Sequence, residues 1–346
     1  MAVTTLMVAE RAGVSKTTVS RVLNGQSELI SEATKERVFA AARDLNYRPN
    51  RLAISLRKQQ TMTVGLLVGD ISDAYFHVLT RGVEDVAREA GFHVMLVNTD
   101  RVPSRERFAV ELLRDQQADG VIFAGGSIDN DRHLESTDFG HMKVVCVGPH
   151  RLPWPTIEVD HRRAIADAVV HLAEQGCQRI ACIGKRPSWA INQMRLEGYR
   201  MGLDLCGLEY DPTLEWEGGF TFELGLETTT SALDRGIQFD GIVAFNDYAA
   251  VGAMRALRVA GLDVPNDVAV VGCNDIPLAA MANPQLTSIG LPIYEYGTTA
   301  MRTMLELIAG REVSSRIELP HELNVRESSA RQGAANDGLR AGPVDP

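Results

Sequence analysis

Residues 14–25, VSKTTVSRVLNG, place Val19, Val22 and Leu23 at i, i+3 and i+4, a single apolar stripe along a helix. Lys16, Thr17, Ser20 and Arg21 then project from the opposite side. Ser15 suits an N-cap and Asn24-Gly25 a stop. Upstream, Leu6, Val8, Ala9 and Ala12 predict a first short helix, and Gly13 permits a tight turn between the two. Downstream, Ser31 opens a third helix from about Glu32 to Leu45, with Val38, Ala41, Ala42 and Leu45 facing inward. Three short helices around a Gly turn, the second displaying cations and hydroxyls, describe a helix-turn-helix. Such a helix fits the major groove of DNA, where side chains at its N-terminal end reach base edges. A solvated face on a small three-helix domain carries the same local pattern, so the flanking sequence has to decide.

Charge is the first discriminator. The 346-residue chain is acidic, with a formal charge of −10. Residues 1–60 nevertheless hold ten Lys/Arg against five Asp/Glu, leaving the remainder with 25 against 40. A basic head on an acidic body points the head toward a polyanion and gives the body another task.

The second discriminator is NYRPNRLAISLRK, residues 46–58. Pro49 suits a first helical turn, and residues 50–56 predict a helix too short to persist without a partner. Leu52 and Leu56 share its face with no core adjacent in sequence. An apolar wedge between base steps of the minor groove accounts for an exposed Leu56 beside Arg51, Ala53 and Arg57.

Together, VAERAGVSKTTVSRVLNG and SEATKERVFAAARDLNYRPNRLAISLR closely resemble the DNA-binding headpiece and hinge helix of the LacI/GalR family of bacterial repressors, a likeness that continues to about Ser328. The resemblance implies that Lys16, Thr17 and Arg21 read the major groove. It implies that Thr4, Ser15, Thr18, Ser20, Asn24, Tyr47 and Asn50 hold phosphates, and that Leu56 enters the minor groove from each subunit of a homodimer. The operator is then a near-palindrome with a flexible pyrimidine–purine step at its centre.

From Met62 the texture changes. Apolar runs at 64–70, 93–100, 120–125, 143–148, 157–160, 179–184, 240–247 and 268–275 predict strands, with amphipathic helices between most of them. That alternation predicts parallel sheets covered on both faces, in two doubly wound subdomains. Asp70, Asn98, Asp100, Asp160, Asn246, Asp247, Asn274 and Asp275 follow strands directly, where open α/β sheets bind ligands and where helix caps also lie. A cleft lined by such groups suits a hydroxyl-rich small molecule.

By the resemblance, the body has the fold of periplasmic sugar-binding proteins and binds the family's effector. Arg195 in RLEGYR, Phe220 in EGGFTFELG and Asn246-Asp247 in FNDYAAVG match ligand-contacting positions. Asp73, Tyr75 and Phe76 fall at the first cleft helix, and Asn274 and Asp275 join them from GCND. Two positions depart from the family pattern: Asn274 stands where an acid is usual, and Gly148-Pro149 follows VVCV in place of a commonly acidic position. Fewer carboxylates suit a different hydroxyl pattern or an anionic ligand. A sugar leads; Tyr75-Phe76 also fit stacking on a nucleobase. Trp189 offers a further stacking surface or packs locally.

The domain expectation is therefore a headpiece over 1–46, a hinge over 47–60, an effector and dimerisation domain over 61–328, and a disordered tail over 329–346. Five scattered cysteines, no secretory signal and no membrane-length apolar run place the chain in the reducing cytoplasm. No nucleotide-binding, nucleophile-elbow or zinc-protease motif appears, so neither an enzyme nor a cofactor is expected. No heptad run follows Ser328, which makes a dimer the expected assembly.

Overall fold

The computed structural model describes residues 3–23, 27, 29–47, 60–125, 132–150, 152–185 and 190–331. The chain divides into two compact units, Met1–Met62 and Thr63–Pro346.

The first unit contains α1 (Thr5–Ala12), α2 (Lys16–Leu23) and α3 (Glu32–Asp44). Thr4 caps α1 by accepting from Met7 N, and Gly13 ends it in the left-handed region at φ 63°, where a Cβ is disfavoured. Ser15 caps α2, its Oγ accepting from Thr18 N at 3.0 Å. Ser31 sits at the start of α3, but its hydroxyl pairs with Thr34 Oγ1 rather than with a backbone amide. Val8, Ala9, Ala12, Val19, Val22, Val38, Ala41 and Ala42 form the buried core. Leu45 only borders that core, and Leu6 is 54% exposed. The inward stripe of α1 is Val8, Ala9 and Ala12, and Leu6 lies off it. Helices of eight residues are marginal alone, so this shared core holds them.

The second unit contains two six-stranded sheets. The first is built from β1 (Thr63–Val68), β2 (His93–Asn98), β3 (Gly120–Ala124), β4 (Lys143–Val147), β5 (Thr156–Glu158) and β11 (Arg316–Glu318), in the order β11-β5-β4-β3-β1-β2. The second comprises β6 (Ile180–Lys185), β7 (Glu215–Glu217), β8 (Gly241–Ala244), β9 (Ala269–Asn274), β10 (Thr287–Gly290) and β12 (Glu322–Asn324), in the order β12-β10-β9-β8-β6-β7. Every pairing is parallel except β10 with β12. Central strands such as β3 and β8 are buried along their whole length, as sheets covered on both faces require. The edge strand β2 is not, which leaves Leu96 42% exposed.

The helices of this unit follow in order: α4 (Ala74–Glu89), α5 (Pro103–Asp115), α6 (Arg132–Glu135), α7 (His161–Glu174), α8 (Ala190–Cys206), α9 (Phe222–Asp234), α10 (Asp247–Val259), α11 (Pro277–Met281) and α12 (Ile293–Ile308). The chain crosses between sheets after β5, after β10 and after β11. The first two crossings carry a helix to the opposite sheet: α7 packs on the second, and α12 returns to pack on α4 and the first. The α4–α12 approach depends on Gly82 and Gly297. A Cβ on Gly297 would meet Leu79 O at 2.1 Å, and one on Gly82 would meet Tyr294 O at 2.3 Å. One apolar cluster runs through both sheets, from Leu66 and Ile122 to Phe245 and Val271. The three crossings and this shared core align the carboxyl ends of both sheets around one cleft.

Candidate functional site

On α2, Lys16, Thr17 and Arg21 are exposed, and Thr18 and Ser20 half-buried. Lys16 and Arg21 make no ion pair among the described residues, whereas Arg11 pairs with Asp44 and Lys35 with Glu32. Ser15 and Thr18 share a hydroxyl–hydroxyl bond of 2.8 Å beside the helix cap, and Tyr47 bonds Thr5 at 2.8 Å. The helix thus presents two cations and a hydroxyl on a rigid, capped face. Asn24, Asn50, Arg51, Ala53, Leu56 and Trp189 lie outside the described residues, as does the chain beyond Arg331.

The body's cleft has a volume of about 1010 Å³ with its open mouth included, within reach of a ligand of sugar or nucleoside size. Asp73, Tyr75, Phe76, Arg195, Phe220, Asn246 and Asn274 all line it. Asp73 caps α4 by accepting from Tyr75 N at 3.0 Å, and its burial raises its pKa. Tyr75 and Phe76 follow on the first turn, edge to face with centroids 5.1 Å apart. Burial pushes the Tyr75 phenol upward as well, so it stays a neutral donor. From the other side, α8 carries Arg195, only 4% exposed. Its Nη1 donates to the Phe245 carbonyl and its Nη2 reaches Asn274 Oδ1 at 3.5 Å, while its Nε has no partner. Asn246 caps α10 through Ala249 N at 2.8 Å and donates to the Phe220 carbonyl at 2.7 Å, fixing the loop that brings Phe220 to the cleft.

Asp247 and Asp275, expected among the effector contacts, are not in the cleft. Asp247 is fully buried behind it, accepting from Ile276 N at 2.8 Å and from the Ser288 hydroxyl. Burial lifts its pKa to about 7 against the opposing pull of those two bonds. Asp275 is committed to Arg326, at 2.6 and 3.0 Å, and to Asn324 at 2.8 Å. The reason is local geometry. Asn246 is the extended cap while Asp247 begins the helix, and Asn274 and Asp275 take successive positive φ values of 109° and 54°. Adjacent side chains therefore diverge, and only the first of each pair faces the ligand space. Other strand-end groups are engaged locally: Asp160 caps α7 by accepting from Arg162 N and Arg163 N, while Asp70 accepts from Ser72 N and Asn98 from Ile71 N, which fixes the loop after β1.

The cleft also holds residues that strand-end reasoning passed over. Arg101 lies 5.7 Å from the Phe76 ring centroid and 5.9 Å from that of Phe220, bridging rings from the two sides. It follows Asp100, and both have positive φ, so the turn that ends β2 throws its side chain inward. Trp154 stacks on Phe123 at 6.0 Å and meets Phe139 edge-on, forming an aromatic wall with His150 alongside. His161, one residue past the Asp160 cap, is buried with Nδ1 unpartnered. Burial, then the charges of Arg195 and His321, hold it neutral. Arg101 and His161 each stand one residue beyond a polar strand end, a signal present in the sequence. Nothing comparable marks Trp154.

Among the described residues, no group of three or more His, Cys, Asp and Glu could hold a metal, and no helix is long and apolar enough to cross a membrane.

Residues 7–50 match the model of bacterial regulatory proteins of the lacI family, and residues 169–329 that of a periplasmic binding protein-like domain. The chain is 34% identical over 326 residues to the HTH-type transcriptional regulator RegA of Clostridium saccharobutylicum, covering 93% of this chain and 98% of that one. It is 32% identical to catabolite control protein A of Priestia megaterium, covering 95% and 100%. Among solved structures it resembles the lac repressor dimer bound to operator and the anti-inducer ONPF, with TM-score 0.87, 29% identity and coverage of 96% and 100%. It also resembles the transcriptional regulator CelR in complex with cellobiose, with TM-score 0.72, 34% identity and coverage of 94% and 99%. A capped helix-turn-helix, two crossed-over parallel sheets around a ligand cleft and these full-length relatives make the chain a member of the lacI family of bacterial regulatory proteins, a ligand-responsive transcriptional regulator and not an enzyme.

Proposed function

We propose that the protein is a homodimeric repressor of a near-palindromic operator, released when a small sugar-like effector fills its cleft. The observation that carries this reading is a single cleft lined from both sheets, with Phe76 and Phe220 on opposite sides of Arg101. A ligand touching both sides favours one angle between the sheets, and that differential affinity is what shifts the population. In a dimer, two heads must sit one half-site spacing apart, so a change of angle costs one head its groove. Lys16, Thr17 and Arg21 are the proposed base readers. Thr4, Ser15, Thr18, Ser20, Asn24, Tyr47 and Asn50 are the proposed phosphate contacts, with Arg51, Ala53 and Leu56 in the minor groove.

Polar cleft groups such as Asn246, Asn274 and Arg195 support a polyhydroxylated ligand. The Tyr75–Phe76 pair and the Phe220 ring support a second reading, in which a nucleobase stacks there as corepressor. To test both, operator DNA is first selected with the purified protein, and DNA release is then followed by fluorescence anisotropy across sugars, sugar derivatives and nucleobases. A sugar that releases DNA supports the repressor–inducer reading. A nucleobase that tightens the complex replaces it with the corepressor reading, and indifference of DNA binding to every ligand would sink both.

A further inference from the structure

We infer that the effector carries an oxyanion, a carboxylate or phosphate borne on a hydroxylated or ring-containing body, and that Arg195 with His161 receives it. This rests on the effector-cleft reading proposed above. Arg195 is 96% removed from solvent, yet both acceptors of its guanidinium, the Phe245 carbonyl and the Asn274 amide, are neutral, and its Nε–H has none. Buried charges are ordinarily paired, because neutral dipoles alone return only part of the lost hydration. His161, equally buried, adds a second unpartnered nitrogen on the same side of the cleft.

The carboxylates that would have neutralised this side are engaged elsewhere: Asp247 with Ser288 and Ile276, Asp275 with Arg326 and Asn324. Asp73 is the lone acid among the described lining residues. It is occupied by the Tyr75 amide and lies in the field of Arg101, not paired with Arg195. The arrangement is a buried cation facing ligand space with amides where its counter-charge would sit. A neutral ligand leaves that cation uncompensated; an oxyanion gives Nε and Nη2 a charge-assisted, bidentate acceptor.

The test uses the full-length protein and matched ligands in isothermal titration: glucose, glucuronate and glucose 6-phosphate; ribose and ribose 5-phosphate; uridine and uridine monophosphate; and inorganic phosphate alone. The expected result is at least one charged member binding about tenfold or more tightly than its neutral twin, and more tightly than phosphate alone. The carboxylate and phosphate arms tell which oxyanion the site takes. Asn274→Asp, which sets a carboxylate against Arg195 without removing any side chain, should erase that preference. Arg195→Lys should keep part of it and Arg195→Ala none. A neutral ligand that binds as tightly as its charged twin, through Arg195 and with no response to Asn274→Asp, overturns the oxyanion and leaves the sugar-effector reading standing. Phosphate alone binding as tightly as any organic member overturns the ring-bearing body. Silence from every member of every set overturns the effector reading together with this inference.

Discussion

Replacing Asp247 with Asn should change how stability depends on pH while leaving effector binding intact. The carboxyl is fully buried, and its pKa rises from 3.8 to about 7 because burial outweighs the bonds from Ser288 and Ile276 N. A folded-state pKa above the unfolded value means the native state holds the proton more tightly. The associated stability is complete below the unfolded pKa and is lost as pH rises to the folded one. A rise of roughly three units corresponds to about 4 kcal/mol, of which about 3 kcal/mol falls between pH 5 and pH 8. His161 and His171, whose pKa values are lowered by burial, act in the opposite direction over part of that window. The quantity to follow is therefore the difference between wild type and Asp247→Asn, which cancels the histidines. In urea titrations of the body from pH 5 to 8, the variant should gain on wild type by about 3 kcal/mol as pH rises, offset at every pH by about 1 kcal/mol for its imperfectly satisfied amide. Parallel pH profiles would refute the buried-acid argument. Loss of effector binding in the well-folded variant would refute the placement of Asp247 outside the cleft.

Other perturbations separate the remaining parts of the account. Val19→Ala removes a fully buried side chain from the small headpiece core and should cost that unit about 1–3 kcal/mol, seen as lost operator binding with the body's thermal transition unmoved. Lys16→Ala should alter which base is preferred at one operator position, read from binding to a panel of single-base variants; uniform weakening across the panel would demote Lys16 to a phosphate contact. Gly297→Ala drives a methyl into Leu79 O and should lower body stability by about 1–3 kcal/mol in thermal unfolding, with an unchanged transition contradicting the close α4–α12 approach.

The sequence was most readable where one period and one set of caps acted together. The headpiece helices follow from the spacing of Val19 with Val22 and of Val38 with Ala41 and Ala42, from the Ser15 cap and from the turn at Gly13. In the body, each of the eight apolar runs contains a strand, because a central parallel strand is buried on both faces and reads as continuous hydrophobicity. Four strands escaped: β7 (EWE), β11 (RIE) and β12 (ELN) are three residues long and mostly polar, and β10 (TSIG) is short and half hydroxylated. Their pairing is set by the sheet edge they meet, which no local window contains.

The cleft divides the same way. Its location at the strand ends followed from topology, and Asn246 and Asn274 lie there. Whether Asp247 and Asp275 joined them depended on backbone angles and on distant partners, Ser288 and Arg326, some 41 and 51 residues away in sequence. Trp154 entered through its stack on Phe123, a contact between residues that share no periodic pattern.

The measurement that bears most directly on a ligand-controlled repressor is effector affinity measured twice, with free protein and with protein saturated by operator. Binding free energies couple reciprocally. If the effector releases DNA, operator-bound protein must bind that effector more weakly, by the same factor by which the effector weakens operator binding. Equal affinities in the two states would contradict the account.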